Sequence, residues 1–145
     1  LVPVSISAIS SNGFDVIMPL LGGAVYGQCG ASLAIGILQK DKEKKRIAFQ
    51  SAFSCALGVT EPALFGVTVP NPKAMLCACI GGAAGGMVAG IAGAHCTSFA
   101  FPSIITCVAY AGPGFAGFLI SMAVGLVVSF PLTLLVMRGS LKKGK

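Results

Sequence analysis

The strongest constraint on this chain is a stretch without charge, because the sequence contains no Asp, Glu, Lys or Arg from Ala74 to Met137. A helix needs about 20 apolar residues to cross the hydrocarbon core of a bilayer, so this stretch has room for two or three crossings. A soluble core of this length would need polar outer faces, which the stretch lacks. The sequence therefore predicts an all-α polytopic membrane protein.

The charges lie between the apolar segments rather than inside them. Basic residues are concentrated at 40–46, at Lys73 and at 138–145, and the formal net charge is +6. Cytoplasmic loops of membrane proteins carry such an excess, so we expect the C-terminal tail to be cytoplasmic and Lys73 to be a cytoplasmic topology charge. Aromatic residues do not interleave with the basic ones, as they would on a nucleic-acid surface. We therefore expect a lipid bilayer and no nucleic acid as a partner.

The pattern of apolar, small and charged residues divides the chain into segments. The predicted transmembrane helices are Gly13–Leu38, Ala74–Gly93 and Phe115–Met137. The charged run 40–46 is a short loop or a helix end. Two further segments are apolar but broken: Ile47–Pro70 is interrupted at Gly58 and at Glu61-Pro62, and His95–Gly114 is interrupted at Pro102 and at 112–114.

The basic segments also constrain the topology. If 40–46 and the C-terminal tail both face the cytoplasm, a full crossing by Ile47–Pro70 would require His95–Gly114 to cross as well. A simpler arrangement makes Ile47–Pro70 a re-entrant hairpin, with His95–Gly114 an outer loop or a second hairpin. Irregular backbone at membrane depth is tolerated only where it is buried in protein or lines a wet cavity. Two broken elements that enter from opposite sides are typical of secondary transporters.

Glu61 is the strongest candidate for a substrate-binding residue. An ionisable side chain inside a membrane segment costs ~3 kcal/mol or more and is a functional candidate for that reason. Pro62 removes a backbone donor and disfavours helix at Glu61, Gly58 lets the chain bend, and Thr60 adds a hydroxyl. A carboxylate can accept strong hydrogen bonds from two sugar hydroxyls. The alternative is that Glu61 caps the hairpin or pairs with a lysine near the surface.

Among the other polar and small residues, Gln28 has two possible roles, and the rest are expected to have a structural role. Gln28 either lines the same pocket or makes a helix–helix hydrogen bond. His95 is expected at a helix end or in an outer loop. Glycines spaced by four, Gly81/Gly85 and Gly82/Gly86/Gly90, predict close helix packing. The cysteines are expected to act as small apolar residues, with Cys77-x-Cys79 too isolated for zinc, and we expect no metal and no cofactor. The six cysteines are Cys29, Cys55, Cys77, Cys79, Cys96 and Cys107.

The segment from Gly58 to Val67, GVTEPALFGV, resembles the G-[IV]-T-E-P-x-x-[FY]-G-[VI] motif of the sugar permease subunit of the phosphotransferase system, enzyme IIC. The similarity is to its glucose/β-glucoside/sucrose superfamily. Segments on both sides are also similar to that family, in the same order. These are FDVIMPL from Phe14, QCGASLA from Gln28, IGGAAGG from Ile80 and FAFPS from Phe99.

The resemblance implies a fold and a role. It implies the transport-domain half of an elevator-type permease with re-entrant hairpins, which forms a homodimer in the bacterial inner membrane. It implies that Glu61 contacts sugar hydroxyls, and Thr60, Gly58 and Gln28 are expected to line the same site. The sugar, of the β-glucoside or sucrose/trehalose type, would then be phosphorylated by a phosphocysteine on a IIB domain that is recharged through IIA. The assembled system would be an enzyme, while this chain carries no catalytic residue.

The sequence departs from the full family pattern. It begins Leu-Val-Pro, and we expect residues 1–145 to be the C-terminal part of one IIC domain, without the N-terminal scaffold half and without IIB or IIA. None of the six cysteines has the Cys-then-Thr-Arg context of a IIB domain. The family's site histidine would precede residue 1, so His95 does not inherit that role. The alternatives are an unrelated secondary transporter and a membrane assembly subunit without a substrate.

Overall fold

The computed structural model describes residues 2–97, 99–110 and 114–143, and these residues are almost entirely helical. The predicted break at 112–113 and the last two residues of the basic tail lie outside the described residues. The elements are α1 (Val2–Asn12), α2 (Ile17–Leu38), α3 (Lys42–Ala56), α4 (Glu61–Ala63), the π-helical turn π1 (Leu64–Thr68), α5 (Pro72–Ile91), a 3₁₀ helix (Thr106–Tyr110) and α6 (Phe115–Lys143).

Three of these helices are long and apolar enough to cross a membrane. They are α2, α5 and the first 25 residues of α6, from Phe115 to Gly139. The three predicted transmembrane helices are therefore confirmed, with boundaries that differ by a few residues. The chain has the secondary structure of an all-α polytopic membrane protein.

Glycines let the three long helices approach one another at backbone distance. A methyl group on Gly23 of α2 would lie 2.5 Å from the amide nitrogen of Gly86 in α5. A methyl group on Gly81 would lie 2.6 Å from the Cβ of Ser129 in α6. The glycine spacing in α5 thus serves two neighbours, since Gly82 and Gly86 face α2, Gly81 faces α6 and Gly85 lies against both. The predicted close packing is confirmed, and it follows from the absence of side-chain bulk at these positions.

The order of these contacts fixes the directions of the helices. Gly23 faces Gly86 and Gly27 faces Ala78, so α2 and α5 are antiparallel. Gly22 meets Phe118, and Gly30 meets Leu126 and Phe130, so α2 and α6 are parallel. The end of α2, the start of α5 and the last turns of α6 consequently lie at one end of the bundle. Residues 40–46, Lys73 and Arg138 lie at that end, which we call the basic end.

The segment between α2 and α5 is an antiparallel helical hairpin. Near its open end, a methyl group on Gly66 would lie 3.4 Å from Cγ2 of Ile47. Further in, the hydroxyl of Ser51 donates to the carbonyl of Pro62 at 3.1 Å. The first arm, α3, has 15 residues and is about 22 Å long, which is short of the ~30 Å hydrocarbon core. The hairpin begins and ends at the basic end.

One detail of the hairpin differs from the sequence-based expectation. Pro62 was expected to keep Glu61 out of a helix, yet Glu61 is the first residue of α4 and Pro62 the second. The expectation was wrong because the first amides of a helix have no intrahelical acceptor, so proline at this position removes no hydrogen bond. Between α3 and α4 the irregular backbone is limited to residues 57–60. The charged run, for which a loop or a helix end was predicted, forms the first turns of α3 after an Asp41 cap.

Helix α1 was not predicted, and it is fixed by Asp15. The Asp15 side chain is 1% exposed; it accepts a hydrogen bond from the hydroxyl of Ser5 and from the amides of Ile17 (3.1 Å) and Met18 (3.2 Å). Burial favours a raised pKa for Asp15, but these hydrogen bonds outweigh it and lower the pKa below its ordinary value. Backbone hydrogen bonds also join Asp15 to Cys96. One carboxylate thus links α1, the start of α2 and the loop after α5.

Candidate functional site

A cavity of about 220 Å³ lies beside the middle of α2, where two irregular segments meet. The first is the bend of the hairpin at 57–60, and the second is the loop that follows α5. All four residues predicted as a substrate site line this cavity. The lining comprises Leu21, Ala24, Val25 and Gln28 of α2, Gly58, Thr60 and Glu61 of the hairpin, and Phe101 and Pro102 of the loop.

Gly58 makes the meeting of the two segments possible. Its φ of +92° lies in the left-handed region, where residues with a Cβ are disfavoured by ~1–2 kcal/mol. A methyl group on Gly58 would also lie 3.1 Å from Cβ of Ser103 and 3.3 Å from the carbonyl oxygen of Pro102. Glycine is therefore required both for the bend and for the approach of the loop. Gly58 shapes the cavity through its backbone.

The carbonyl of Ala56 joins the three parts of the chain that form the cavity. It accepts a hydrogen bond from the hydroxyl of Tyr26 in α2 at 3.2 Å. It also accepts one from the backbone amide of Ile104 in the loop, again at 3.2 Å. This carbonyl is one of the last in α3 and has no partner within the helix. The free end of α3 is thereby used to position α2 and the loop on either side of the bend.

Glu61 is exposed and begins α4, with Thr60 as the N-cap residue. The N-terminus of a helix favours negative charge, although a helix of three residues contributes little of this effect. The Thr60 hydroxyl makes no capping hydrogen bond. Within the described part of the chain, the Glu61 carboxylate has no hydrogen bond or ion pair. The expected alternative, in which Glu61 pairs with a lysine, is absent among the described residues, so carboxylate and hydroxyl are both available to a ligand.

Gln28 lies at the middle of α2, close to the bend. Its side-chain oxygen is buried and has no hydrogen-bond partner among the described residues. A buried acceptor without a partner costs ~1–3 kcal/mol. Gln28 also lines a second cavity of about 370 Å³ against α5. A polar ligand beside Gln28 would supply the missing hydrogen bond.

Phe101 and Pro102 bring to the lining a third segment of the chain, which was not predicted to belong to the site. They belong to the FAFPS stretch, which was similar to the permease family but carried no role. The signal that could have found them is the coincidence of two irregular segments, one at Gly58 and one at Pro102. The cavity therefore has carboxylate, hydroxyl and amide groups together with an aromatic and aliphatic surface.

The remaining candidates lie elsewhere. His95 follows the end of α5, where its Nδ1 lies 3.0 Å from the carbonyl oxygen of Gly93 and its ring contacts Phe14 edge-on. It is in a loop at the end opposite the basic end, as expected of a residue at a helix end. The six cysteines are free thiols, and four of them are buried. No group of His, Cys, Asp or Glu with the geometry of a metal site occurs in the described ranges.

The fold and the cavity define a class of protein: a multi-pass helical membrane protein with a polar cavity formed by two irregular segments beside a transmembrane helix. Comparison with known proteins gives the family. The chain is 45% identical over 106 residues to the β-glucoside-specific EIIBCA component of the phosphotransferase system from Dickeya chrysanthemi, which covers 72% of this chain and 17% of that protein. It is 35% identical over 133 residues to the corresponding component from Bacillus subtilis (strain 168), which covers 89% of this chain and 21% of that protein.

A third relative has a different sugar in its name. The N-acetylmuramic acid-specific EIIBC component of Vibrio cholerae is 41% identical over 91 residues, which is 62% of this chain and 19% of that protein. The chain belongs to the family of sugar-specific EII components of the phosphotransferase system, and the resemblance seen in the Gly58–Val67 motif is confirmed. It spans about a fifth of the length of these relatives. No family model matches the chain, and no solved structure matches it.

Proposed function

We propose that this chain forms the sugar-binding part of a phosphotransferase-system permease in the bacterial inner membrane, and that it carries a β-glucoside or a related sugar inward. Glu61 is the central binding residue, and its carboxylate accepts hydrogen bonds from sugar hydroxyls. Thr60 and Gln28 complete the polar lining, while Gly58 provides the bend. The observation that carries the proposal is the convergence of these four residues on one cavity.

The chemistry of the lining matches a sugar better than an ion. A neutral sugar offers many hydroxyls, each a donor and an acceptor, and the cavity offers one carboxylate, one hydroxyl and one amide. The cavity of about 220 Å³ is smaller than the ~300–1,000 Å³ of typical small-molecule sites. We propose that the remainder of the intact permease supplies the other walls. The relatives' names favour the β-glucoside class over the sucrose or trehalose class.

The proposed topology places the basic end in the cytoplasm. Residues 40–46, Lys73 and Arg138 then obey the positive-inside rule together, and the hairpin from α3 to π1 is re-entrant from the cytoplasmic side. The loop after α5 enters from the opposite side and meets the hairpin beside the middle of α2, at the depth where transporters bind substrate. In an elevator-type mechanism, the whole transport domain that contains this hairpin would move with the sugar.

Phosphoryl transfer is assigned to partner domains. The Dickeya chrysanthemi and Bacillus subtilis relatives are EIIBCA components, and we propose that the intact protein acts with IIB and IIA domains in a homodimer. The IIB phosphocysteine would phosphorylate the sugar when the cavity opens to the cytoplasm. The residues of this chain would bind and orient the sugar and would not accept the phosphoryl group.

The test is Glu61→Gln in the intact protein, with Glu43→Gln as the matched control because Glu43 is exposed in the first turn of α3. Glutamine keeps the size of the side chain but removes charge-assisted hydrogen bonds worth ~1.5–3 kcal/mol each, so with two bonds uptake should fall at least about 100-fold. Membrane insertion, followed by immunoblotting of the membrane fraction, should be unchanged. Uptake of methyl β-D-glucopyranoside at the wild-type rate in Glu61→Gln would remove Glu61 from the site.

A further inference from the structure

We propose that Phe101 is a stacking platform for the pyranose ring of the sugar. This inference rests on the proposed function of the Glu61 cavity and adds a binding residue to it. Its starting point is that an aromatic ring lines the same small cavity as a carboxylate, a hydroxyl and an amide.

Phe99 of the same loop is 37% exposed, and Phe101 is the more exposed of the two phenylalanines. Its side chain is 53% exposed, whereas the next two residues, Pro102 and Ser103, are buried. The exposed ring of Phe101 adds apolar area to the lining of the cavity, and a ligand that covers this area would gain from its burial. The burial of Pro102 and Ser103 shows that the loop is packed at these two residues.

The loop holds the backbone of Phe101 in place. The carbonyl of Phe101 accepts a hydrogen bond from the hydroxyl of Thr106, and the amide of Thr106 donates to the hydroxyl of Ser103 at 3.1 Å. The amide of Ile104 anchors the same loop to the carbonyl of Ala56 at 3.2 Å. These bonds fix the position of Phe101 relative to the bend that carries Glu61.

A second aromatic residue restricts the orientation of the ring. The ring centroids of Phe99 and Phe101 are 5.5 Å apart, and the ring planes are inclined by 75°. Edge-to-face pairs of this kind are favourable because the positive edge of one ring meets the negative face of the other. The Phe101 ring is therefore pre-organised before a ligand arrives, which lowers the entropy cost of binding.

A pyranose ring matches this lining because it has two kinds of surface. Its equatorial hydroxyls lie around the edge, where Glu61, Thr60 and Gln28 can reach them, while the axial C–H groups of a glucopyranoside form apolar faces. The slightly positive C–H groups are attracted to the negative face of an aromatic ring. An open-chain polyol has the same hydroxyls but no ring face, so Phe101 would favour the cyclic form.

The experiment compares Phe101→Ala, Phe101→Leu and Phe101→Trp in the intact protein, with Phe53→Leu as control because Phe53 is a 70% exposed phenylalanine of α3 that does not line the cavity. The readout is the KM and maximal rate of methyl β-D-glucopyranoside uptake, with protein levels in the membrane measured for each variant. We expect KM to rise about tenfold for alanine and leucine at an unchanged maximal rate, and to stay within about twofold for tryptophan. The control should behave as wild type.

Phe101→Trp also gives a direct proximity test, because this chain contains no tryptophan and the emission of the unsubstituted intact protein provides the background. The emission of Phe101→Trp should change when methyl β-D-glucopyranoside is added and should not change with D-glucitol, while Phe53→Trp should respond to neither. A wild-type KM in Phe101→Leu would show that Phe101 is not a stacking platform. An emission of Phe101→Trp that does not change when the glucoside is added would show the same. If the Phe101 variants take up the glucoside with wild-type kinetics while Glu61→Gln does not, only this inference is rejected. If Glu61→Gln shows wild-type uptake, the proposed function is rejected.

Discussion

The hydroxyl of Tyr26 donates a hydrogen bond to the carbonyl oxygen of Ala56 at 3.2 Å, across a sequence separation of 30 residues. This bond ties the middle of α2 to the end of α3, immediately before the bend at Gly58. Because Ile104 donates to the same carbonyl, the two walls of the cavity share one acceptor. The position of Glu61 relative to Gln28 therefore depends on a few hydrogen bonds at a helix end.

Removing that hydroxyl should loosen the site without unfolding the protein. In Tyr26→Phe the carbonyl of Ala56 keeps the amide of Ile104, so no buried acceptor is left unpaired, and stability should fall by ~0.5–1.5 kcal/mol. We expect the KM for uptake to rise, since the α2 wall is no longer fixed to the hairpin. Thermal unfolding in detergent and uptake kinetics measure the two effects. A variant with wild-type stability and wild-type KM would show that this hydrogen bond does not position the site.

Gly58→Ala should inactivate the site through two separable effects. One is the left-handed backbone at φ +92°, and the other is the crowding of the new methyl group against Ser103 and Pro102. Gly93→Ala is a matched control, because Gly93 also has a positive φ of +62° but has nothing within 4 Å of a Cβ. The control should lose only ~1–2 kcal/mol of stability.

The difference between these two variants isolates the contact with the loop. Gly58→Ala should lose more stability than Gly93→Ala and should also lose uptake, because the loop that carries Pro102 must move away from the bend. Unfolding in detergent and uptake in cells are the measurements. If both variants lose the same amount of stability and Gly58→Ala retains uptake, the close approach of the loop to Gly58 is not needed for transport.

The helix contacts at Gly23 should tolerate no side chain. In Gly23→Ala the methyl group would lie 2.5 Å from the amide nitrogen of Gly86, which is backbone and cannot rotate away. Separation of α2 and α5 should cost several kcal/mol, as overpacking of a tight core typically costs ~1–3 kcal/mol or more. In Gly139→Ala, where nothing lies within 4 Å, the substitution should be neutral or stabilising by up to ~1 kcal/mol. The melting temperature in detergent should therefore fall for Gly23→Ala and should stay the same or rise for Gly139→Ala.

Much of this architecture is present in the sequence as a local pattern. The uncharged stretches identify the three long helices, the four-residue glycine spacing identifies the faces of α5 that pack, and the Gly58–Glu61 segment identifies the bend. Each of these signals depends on residues close in sequence. Pro62 was interpreted too strictly, because its effect depends on where the helix begins.

The remaining features depend on contacts between distant residues. Helix α1 buries only Ser5, so it has no strong apolar face to reveal it, and it is fixed by the bond between Ser5 and Asp15. Phe101 reaches the cavity because its loop packs on Gly58, more than 40 residues earlier. The sequence shows that both segments are irregular, but the match between them depends on hydrogen bonds to a single carbonyl.

Asp15 should make the stability of the N-terminal region depend on pH. Its pKa in the folded protein is lowered, since hydrogen bonds to the carboxylate outweigh the effect of burial. A lowered pKa means that the ionised group stabilises the folded state above the ordinary aspartate value of about 3.9, and that this contribution is lost as the pH falls through the lower, folded value. At neutral pH the contribution is fully present.

The variant Asp15→Asn tests whether the ionised Asp15 side chain stabilises the folded protein at neutral pH and loses this effect in acid. Both oxygens of Asp15 accept hydrogen bonds, whereas an amide has one acceptor, so stability at neutral pH should fall by ~1.5–3 kcal/mol. The difference in stability between Asp15→Asn and the wild type should become smaller in acid, as measured by thermal unfolding in detergent. Asp41→Asn is the control, because Asp41 is an exposed N-cap and asparagine caps equally well. A gap that widens in acid would contradict the lowered pKa.

The proposed topology predicts opposite accessibility for the two ends of α5. The six cysteines of this chain, and any others of the intact protein that react with the label, are first replaced. Lys73→Cys then lies at the basic end and His95→Cys in the loop at the other end. A membrane-impermeant maleimide should label His95→Cys in intact cells and Lys73→Cys only in inverted vesicles, because the hairpin returns the chain to the cytoplasmic side before α5 begins. Labelling of Lys73→Cys from the periplasm alone would mean that the segment from α3 to π1 crosses the membrane, and the re-entrant hairpin would have to be abandoned.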